Sequence, residues 1–179
     1  EFRRVLFRSF DGTRAVFNYY KQGWAKAGRK GPVPLDRLGY SALMYVGDTE
    51  EEGRAGAQKL LWYLSHNKLP VYYKNPPGYN SLEANVKAMR TGKVGTREAG
   101  FVPNLDHEIE NGTVFCGTPD TVYKQIKKFY DYVGGFGHIL SMGQAGFLEH
   151  EETVKSMKLQ AKELYPMLRE LKVTREAAE

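Results

Sequence analysis

From Thr113 to Leu171 the chain twice follows a short apolar run with a helix-spaced one, and this order restricts the available folds more than any single polar residue does. Thr113-Val114-Phe115-Cys116 is β-branched and aromatic, so it reads as a strand, and Gly117-Thr118-Pro119-Asp120 stops it. Thr118 is placed to accept from an orphan N–H of the following helix, and Pro119 falls at the first helical position, where a missing N–H costs nothing. Val122, Ile126, Phe129 and Val133 recur at helical spacing, and Gly134-Gly135 ends that helix. His138 to Met142 is nearly all apolar and too short for a helix, which predicts a strand buried on both faces. Beyond His150, the positions Val154, Met157, Ala161, Leu164, Leu168 and Leu171 step by three and four, predicting one long amphipathic helix kinked near Pro166. Parallel strands need helical crossovers, so the pattern predicts an α/β layer.

Residues Glu1 to Ser9 stand apart. Read back as GAG TTC AGA CGT GTG CTC TTC CGA TCT, they spell a sequencing-library adapter, so residues 1–9 are set aside as non-native and the protein is taken to begin at or after Phe10. Without them the chain carries 23 basic and 20 acidic residues, a net +3. That is too mild to argue for a nucleic-acid or membrane-surface partner. No run has the length of a membrane span and no secretory signal is present, so a cytoplasmic setting is expected. The single cysteine, Cys116, cannot form an internal disulfide and reads as a buried small hydrophobe in a reducing compartment.

Arg14 to Ala27 reads as a helix with Val16, Tyr20, Trp24 and Ala27 on one face. Leu38 to Val46 is a strand closed by Gly47-Asp48, and Asp48 with Glu51 reads as a capping box opening a helix to about Ser65. Between Asn67 and Asn111 the periodicity fails, and only Ser81 to Met89 offers a short helix. Tyr72, Tyr73 and Tyr79 surround Pro76-Pro77-Gly78, and Thr91 to Arg97 is glycine-spaced and basic. A loop of this length usually acts as a lid or binding loop, so residues 67–111 are expected to form a mobile insertion.

The ordered set of strand Leu38 to Val46, acidic-capped helix, insertion with Pro-Pro-Gly-Tyr, Gly117-Thr118-Pro119, Gly-Gly, Met142-Gly143, and Val154-Lys155-Ser156-Met157-Lys158-Leu159 with late Pro166 resembles the C-terminal portion of the bacterial luciferase-like flavin-dependent monooxygenases. The resemblance covers residues 10 to 179. It implies an α/β fold, the incomplete C-terminal part of a (β/α)8 TIM barrel with a lid-like insertion, whose last two strands are Leu38 to Val46 and His138 to Met142. Eight strands close such a barrel and this chain offers three candidates. The resemblance further implies reduced FMN as cofactor, or a deazaflavin in some branches, with molecular oxygen oxidising a small organic substrate. A flavin reductase and a homo- or heterodimeric partner are implied as well. The alternatives are a non-catalytic partner subunit and a deazaflavin-dependent hydride-transfer enzyme. Chemically the flavin carries the hard step while the protein positions it and excludes water.

In a barrel, groups just past the C-terminal strand ends face the active-site mouth. Those are Asp48 and Thr49 after one strand and Gly143 and Gln144 after the other. Gly143 and Gln144 are the cofactor-binding candidates, Gln144 as a donor to a flavin or substrate carbonyl; a turn amide bonding its own backbone is the alternative. His150 is the candidate acid or base. Asp48 is explained by its cap. His66, His107 and His138 lack ligand spacing and Asp106-His107-Glu108 is contiguous, so no metal site is expected. Expressed alone, residues 10–179 are expected to be poorly soluble or molten, because the amphipathic helices need more barrel surface than three strands offer.

Overall fold

Tyr40, Ala42, Met44 and Val46 point to one side of their strand, Leu43 and Tyr45 point to the other, and all six are buried. A strand sealed on two faces needs helices on both sides. The computed structural model describes residues 9–66 and 103–176 and supplies both layers. The strand is β1 (Gly39–Val46), the centre of a parallel three-stranded sheet ordered β2-β1-β3, with β2 at Val114–Gly117 and β3 at His138–Met142. Leu43 to Val46 stand opposite Val114 to Gly117, whereas Gly39 to Leu43 stand opposite His138 to Met142. The two neighbours therefore grip different halves of β1. The strands at Leu38 to Val46 and His138 to Met142 are adjacent and parallel, as the resemblance implies.

Helix α1 (Phe10–Lys26) starts earlier than the apolar spacing suggests, because the Ser9 hydroxyl accepts from Gly12 N at 3.4 Å. Its inner side is consequently Phe10, Thr13, Phe17 and Trp24, and Tyr20 is 42% exposed. Thr49, not Asp48, caps α2 (Glu50–Leu60): its hydroxyl accepts from Glu52 N at 3.2 Å, while Glu52 reaches back to Asp48 N at 3.0 Å. The expected Asp48–Glu51 box is absent: Thr49 is the cap, and Glu52 accepts from the backbone one residue before it instead of from the cap's own N–H. The helix breaks at Leu61, and α3 (Trp62–His66) continues it.

Of the expected 67–111 insertion, residues 67–102 lie outside the described residues. Residues 103–111 contain a short helix that the sequence pattern did not signal, α4 (Leu105–Glu110), capped by Asn104, whose Oδ1 accepts from His107 N at 3.0 Å. It packs under the sheet through Leu105 and is tied to α2 by Arg54 and Asp106 at 2.6 Å. Helix α5 (Pro119–Val133) has the expected capping, with Thr118 at the N-cap and Gly134 in the left-handed conformation (φ +84°) after Val133.

The core is two clusters separated by the sheet. On one side α1 and α5 bury Phe17, Ile126 and Phe129 against Tyr40, Met44 and Phe115; Tyr40 and Phe129 have ring centroids 4.2 Å apart. Each such side chain contributes about 1.5–3 kcal/mol by leaving water. On the other side α2 and α4 cover Leu43, Tyr45, Val114 and Cys116. Glycine makes the second contact possible. A Cβ on Gly53 of α2 would lie 2.4 Å from the Cα of Gly117, and one on Gly56 would lie 2.4 Å from the Tyr45 ring.

Two expectations fail near the C-terminus. The strand at His138 to Met142 is not buried on both faces: β3 is a sheet edge among the described residues, and Leu140 is 63% exposed. The final helix is also not a single rod kinked at Pro166. It runs as α6 (His150–Leu159), a π-helical turn (Gln160–Leu164) and α7 (Tyr165–Glu176). The wide turn lies just before Pro166, whose missing N–H and ring disfavour ordinary α geometry there. Because the turn absorbs an extra residue, the inner side of α6 is Thr153 and Ser156, not Val154 and Met157.

Candidate functional site

The carboxyl ends of parallel strands, where the following helices begin, form the crevice in which such sheets hold ligands. At the end of β2, Thr118 caps α5; at the end of β1, Thr49 caps α2. Glu50 joins the two. Its carboxylate accepts from the Thr118 hydroxyl at 2.9 Å and from the Thr121 hydroxyl, so one acidic side chain serves two helix N-termini. The Thr121 hydrogen bond, followed by those of Thr118, holds the Glu50 carboxyl below the usual carboxylate range against the opposing effect of desolvation.

The end of β1 is covered by α6. Ser156 Oγ accepts from Val46 N at 2.9 Å and the Glu152 carbonyl accepts from the Tyr45 hydroxyl at 3.3 Å. Lys155 bridges Asp48 at 2.7 Å and Glu52 at 2.6 Å, and Lys59 pairs with Glu152. Asp48 and then Glu52 push the Lys155 ammonium above its ordinary range, while Lys59 lowers the Glu152 carboxyl. Gln160, first residue of the π turn, donates to Ser156 Oγ at 3.2 Å and accepts from the Ser141 hydroxyl at 2.8 Å. This chain links the ends of β1 and β3 through one helix.

Of the sequence-identified residues, Asp48 and Thr49 belong to this network, whereas Gly143, Gln144 and His150 lie around it. Asp48 is an ion-pair partner of Lys155, not the cap of α2. Gly143 lies where β3 ends, and a Cβ there would be 3.4 Å from the Met44 carbonyl and 3.7 Å from Gln160 Nε2. Gln144 is exposed on the loop that follows, and His150 is exposed at the first position of α6. Sequence reasoning missed Glu50, Ser156 and Gln160; only Glu50, the first residue of the capped helix after β1, carried a positional signal. It also missed Ser41, a 6% exposed residue of β1 whose hydroxyl has no hydrogen-bond partner. An orphan buried hydroxyl costs about 1–3 kcal/mol unless something satisfies it. By alternation Ser41 shares the α2-facing side of β1 with Leu43 and Tyr45.

Among the described residues no group of three His, Cys, Asp or Glu side chains is arranged to hold a metal ion. None of the described helices is long and apolar enough to cross a membrane.

A parallel sheet layered by crossover helices, with its polar groups gathered at the carboxyl ends of the strands, defines the chain as an α/β protein of the kind from which (β/α)8 barrels are built. The family model for luciferase-like monooxygenases matches residues 5–135, and the chain belongs to that family. Its fold is shared by two solved monooxygenase structures. The oxygenating constituent of 3,6-diketocamphane monooxygenase from Pseudomonas putida, in complex with FMN, is 17% identical with a TM-score of 0.62, covering 90% of this chain and 41% of that one. Monooxygenase RslO1 from Streptomyces bottropensis is 18% identical with a TM-score of 0.56, covering 88% and 38%. Coenzyme F420-dependent tetrahydromethanopterin reductase from Methanopyrus kandleri is 17% identical with a TM-score of 0.49, covering 89% and 43%. The chain thus spans about two-fifths of the length of these structures. No curated protein matches it in sequence.

Proposed function

We propose that this chain is the C-terminal part of a flavin-dependent monooxygenase that uses reduced FMN and molecular oxygen on a small organic substrate. The observation that carries the reading is family membership over residues 5–135. The parallel pair β1–β3, with its polar network at the carboxyl end, supports it. The residues present are compatible with a flavin ring at that end. Gly143 brings its backbone beside the Met44 carbonyl and Gln144 offers an exposed amide. When bound, the reduced flavin supplies the electrons that activate oxygen. In this reading Gln144 donates to a ring or substrate carbonyl, and His150 holds or moves a proton at its imidazole.

A flavin reductase would supply the reduced cofactor, and the working unit would be a dimer in a reducing, cytoplasmic setting. The test uses the native-length protein encoded by the transcript that contains this chain. Reduced FMN should bind it, and substrate-dependent oxygen consumption should follow when a reductase is added. Absence of flavin binding by a folded, dimeric protein would reject the catalytic reading and leave the partner-subunit role.

A further inference from the structure

The last helix carries two overlapping stripes. Val154, Met157, Ala161, Leu164 and Leu168 are apolar and spaced for an uninterrupted α-helix. The side that meets the sheet is instead Ser156 and Gln160, followed by Leu164. Ser156 is 1% exposed and Met157 is 59% exposed. The π turn makes the difference: it takes up an extra residue, so everything before it is rotated by about 100° relative to the apolar stripe.

The two halves joined by that turn are docked by different forces. From its last residue on, Leu164, Met167 and Leu168 pack on the apolar cluster formed with α1 and α5. Before it, the buried residues of α6 are Thr153 and Ser156, and only Leu159, next to the turn, reaches the core. What holds α6 over the end of β1 is the Ser156–Val46 hydrogen bond, the Tyr45 hydroxyl on the Glu152 carbonyl, and the Lys155 and Lys59 ion pairs. An element with few buried apolar contacts has a low opening free energy.

We propose that α6 is a two-position rotary cap. Relaxing the π turn to α geometry turns α6 by one residue while α7 stays docked. Met157 then replaces Ser156 against the sheet, and the Val46 N–H and the Tyr45 hydroxyl lose their acceptors on α6. Two discrete dockings of one helix, rather than a continuous swing, are what a packed interface supports. The inference needs no flavin and stands apart from the proposed reaction.

The test follows methionine oxidation by dilute hydrogen peroxide in the native-length protein, read by peptide mass spectrometry, with buried Met44 as the internal reference. Ser156→Ala removes the acceptor that favours the observed position, so Met157 oxidation should slow by about twofold or more while Met44 stays protected. Raising salt to about 0.5 M screens the Lys155 and Lys59 pairs and should slow Met157 oxidation in the unmodified chain. Deleting Lys162 takes the extra residue out of the turn, fixes the observed position and should restore fast oxidation in the Ser156→Ala background. A helix that merely loosens would expose Met157 further. Unchanged or faster oxidation in both Ser156→Ala and high salt therefore overturns the proposal.

Discussion

Replacing Gly53 by alanine should destabilise the protein even though it improves the intrinsic propensity of α2. Alanine is favoured over glycine inside a helix by about 1 kcal/mol. Against this, the new Cβ would lie 2.4 Å from the Gly117 Cα and 2.6 Å from the Gly117 nitrogen. Ordinary contact begins near 3.4 Å, so α2 must retreat by about 1 Å from a backbone that cannot turn aside, since Gly117 is held at φ +130°. Overpacking of this kind costs about 1–3 kcal/mol, and the retreat also stretches the Glu50 bonds to Thr118 and Thr121. The net expectation is a loss of about 1–2 kcal/mol. Gly23 of α1 is the control: nothing lies within 4 Å of a Cβ there, so Gly23→Ala should gain about 0.5–1 kcal/mol. Urea unfolding of the native-length protein, followed by far-ultraviolet circular dichroism, should move the two midpoints in opposite directions at unchanged slope. Parallel stabilisation by both substitutions would refute the close approach of α2 to β2.

Other expectations follow from single contacts. Gln125 of α5 accepts from Cys116 N and donates to the Cys116 carbonyl, both at 3.0 Å, so Gln125→Leu strands two backbone groups of β2 and should cost about 1–3 kcal/mol, measurable as a drop in Tm. Because the folded-state pKa of Glu50 is depressed, its stabilisation is present above the usual carboxylate value of about 4.3 and is lost as pH falls through the lower folded value; Glu50→Gln should flatten the fall of stability in acid, as read from urea midpoints against pH. Burial pushes the Cys116 thiol up to about 11, so it should resist iodoacetamide at neutral pH and react only on unfolding, as counted by mass spectrometry. Gln144→Leu should weaken reduced-FMN binding in the native-length protein by roughly fivefold, the worth of about one hydrogen bond.

The region from Thr118 to Val133 was legible because its signals are local: a capping threonine, a proline at the first turn, an apolar face and a left-handed glycine all act within one helix. The adjacency of β1 and β3 came instead from the resemblance, since Val114–Gly117 intervenes in sequence and pairs on the other edge of β1. What escaped was set by distant partners. α4 is too short to show periodicity, and its main sequence signal is the Asn104 cap. β3 looks two-face buried from composition, yet burial depends on neighbours that composition does not contain. The one-residue rotation of α6 was hidden for a related reason. Met157 and Ala161 satisfy the α spacing, and only the backbone demand of Val46 N for an acceptor shows why Ser156 faces inward instead. Gly143 and Gln144 were nominated by position after a strand and His150 by its place at a helix start, whereas Glu50 and Gln160 act across elements that are far apart in sequence.

The side-chain amide of Gln125 imitates a neighbouring strand at Cys116, filling both backbone valences that this residue would otherwise offer sideways. No comparable plug is seen along β3 among the described residues, and Leu140 lies open there. The two edges of the sheet are therefore unequal, with one plugged at Cys116 by its own helix and the other open along β3. Lateral annealing, whether productive or leading to aggregates, should proceed more readily along β3.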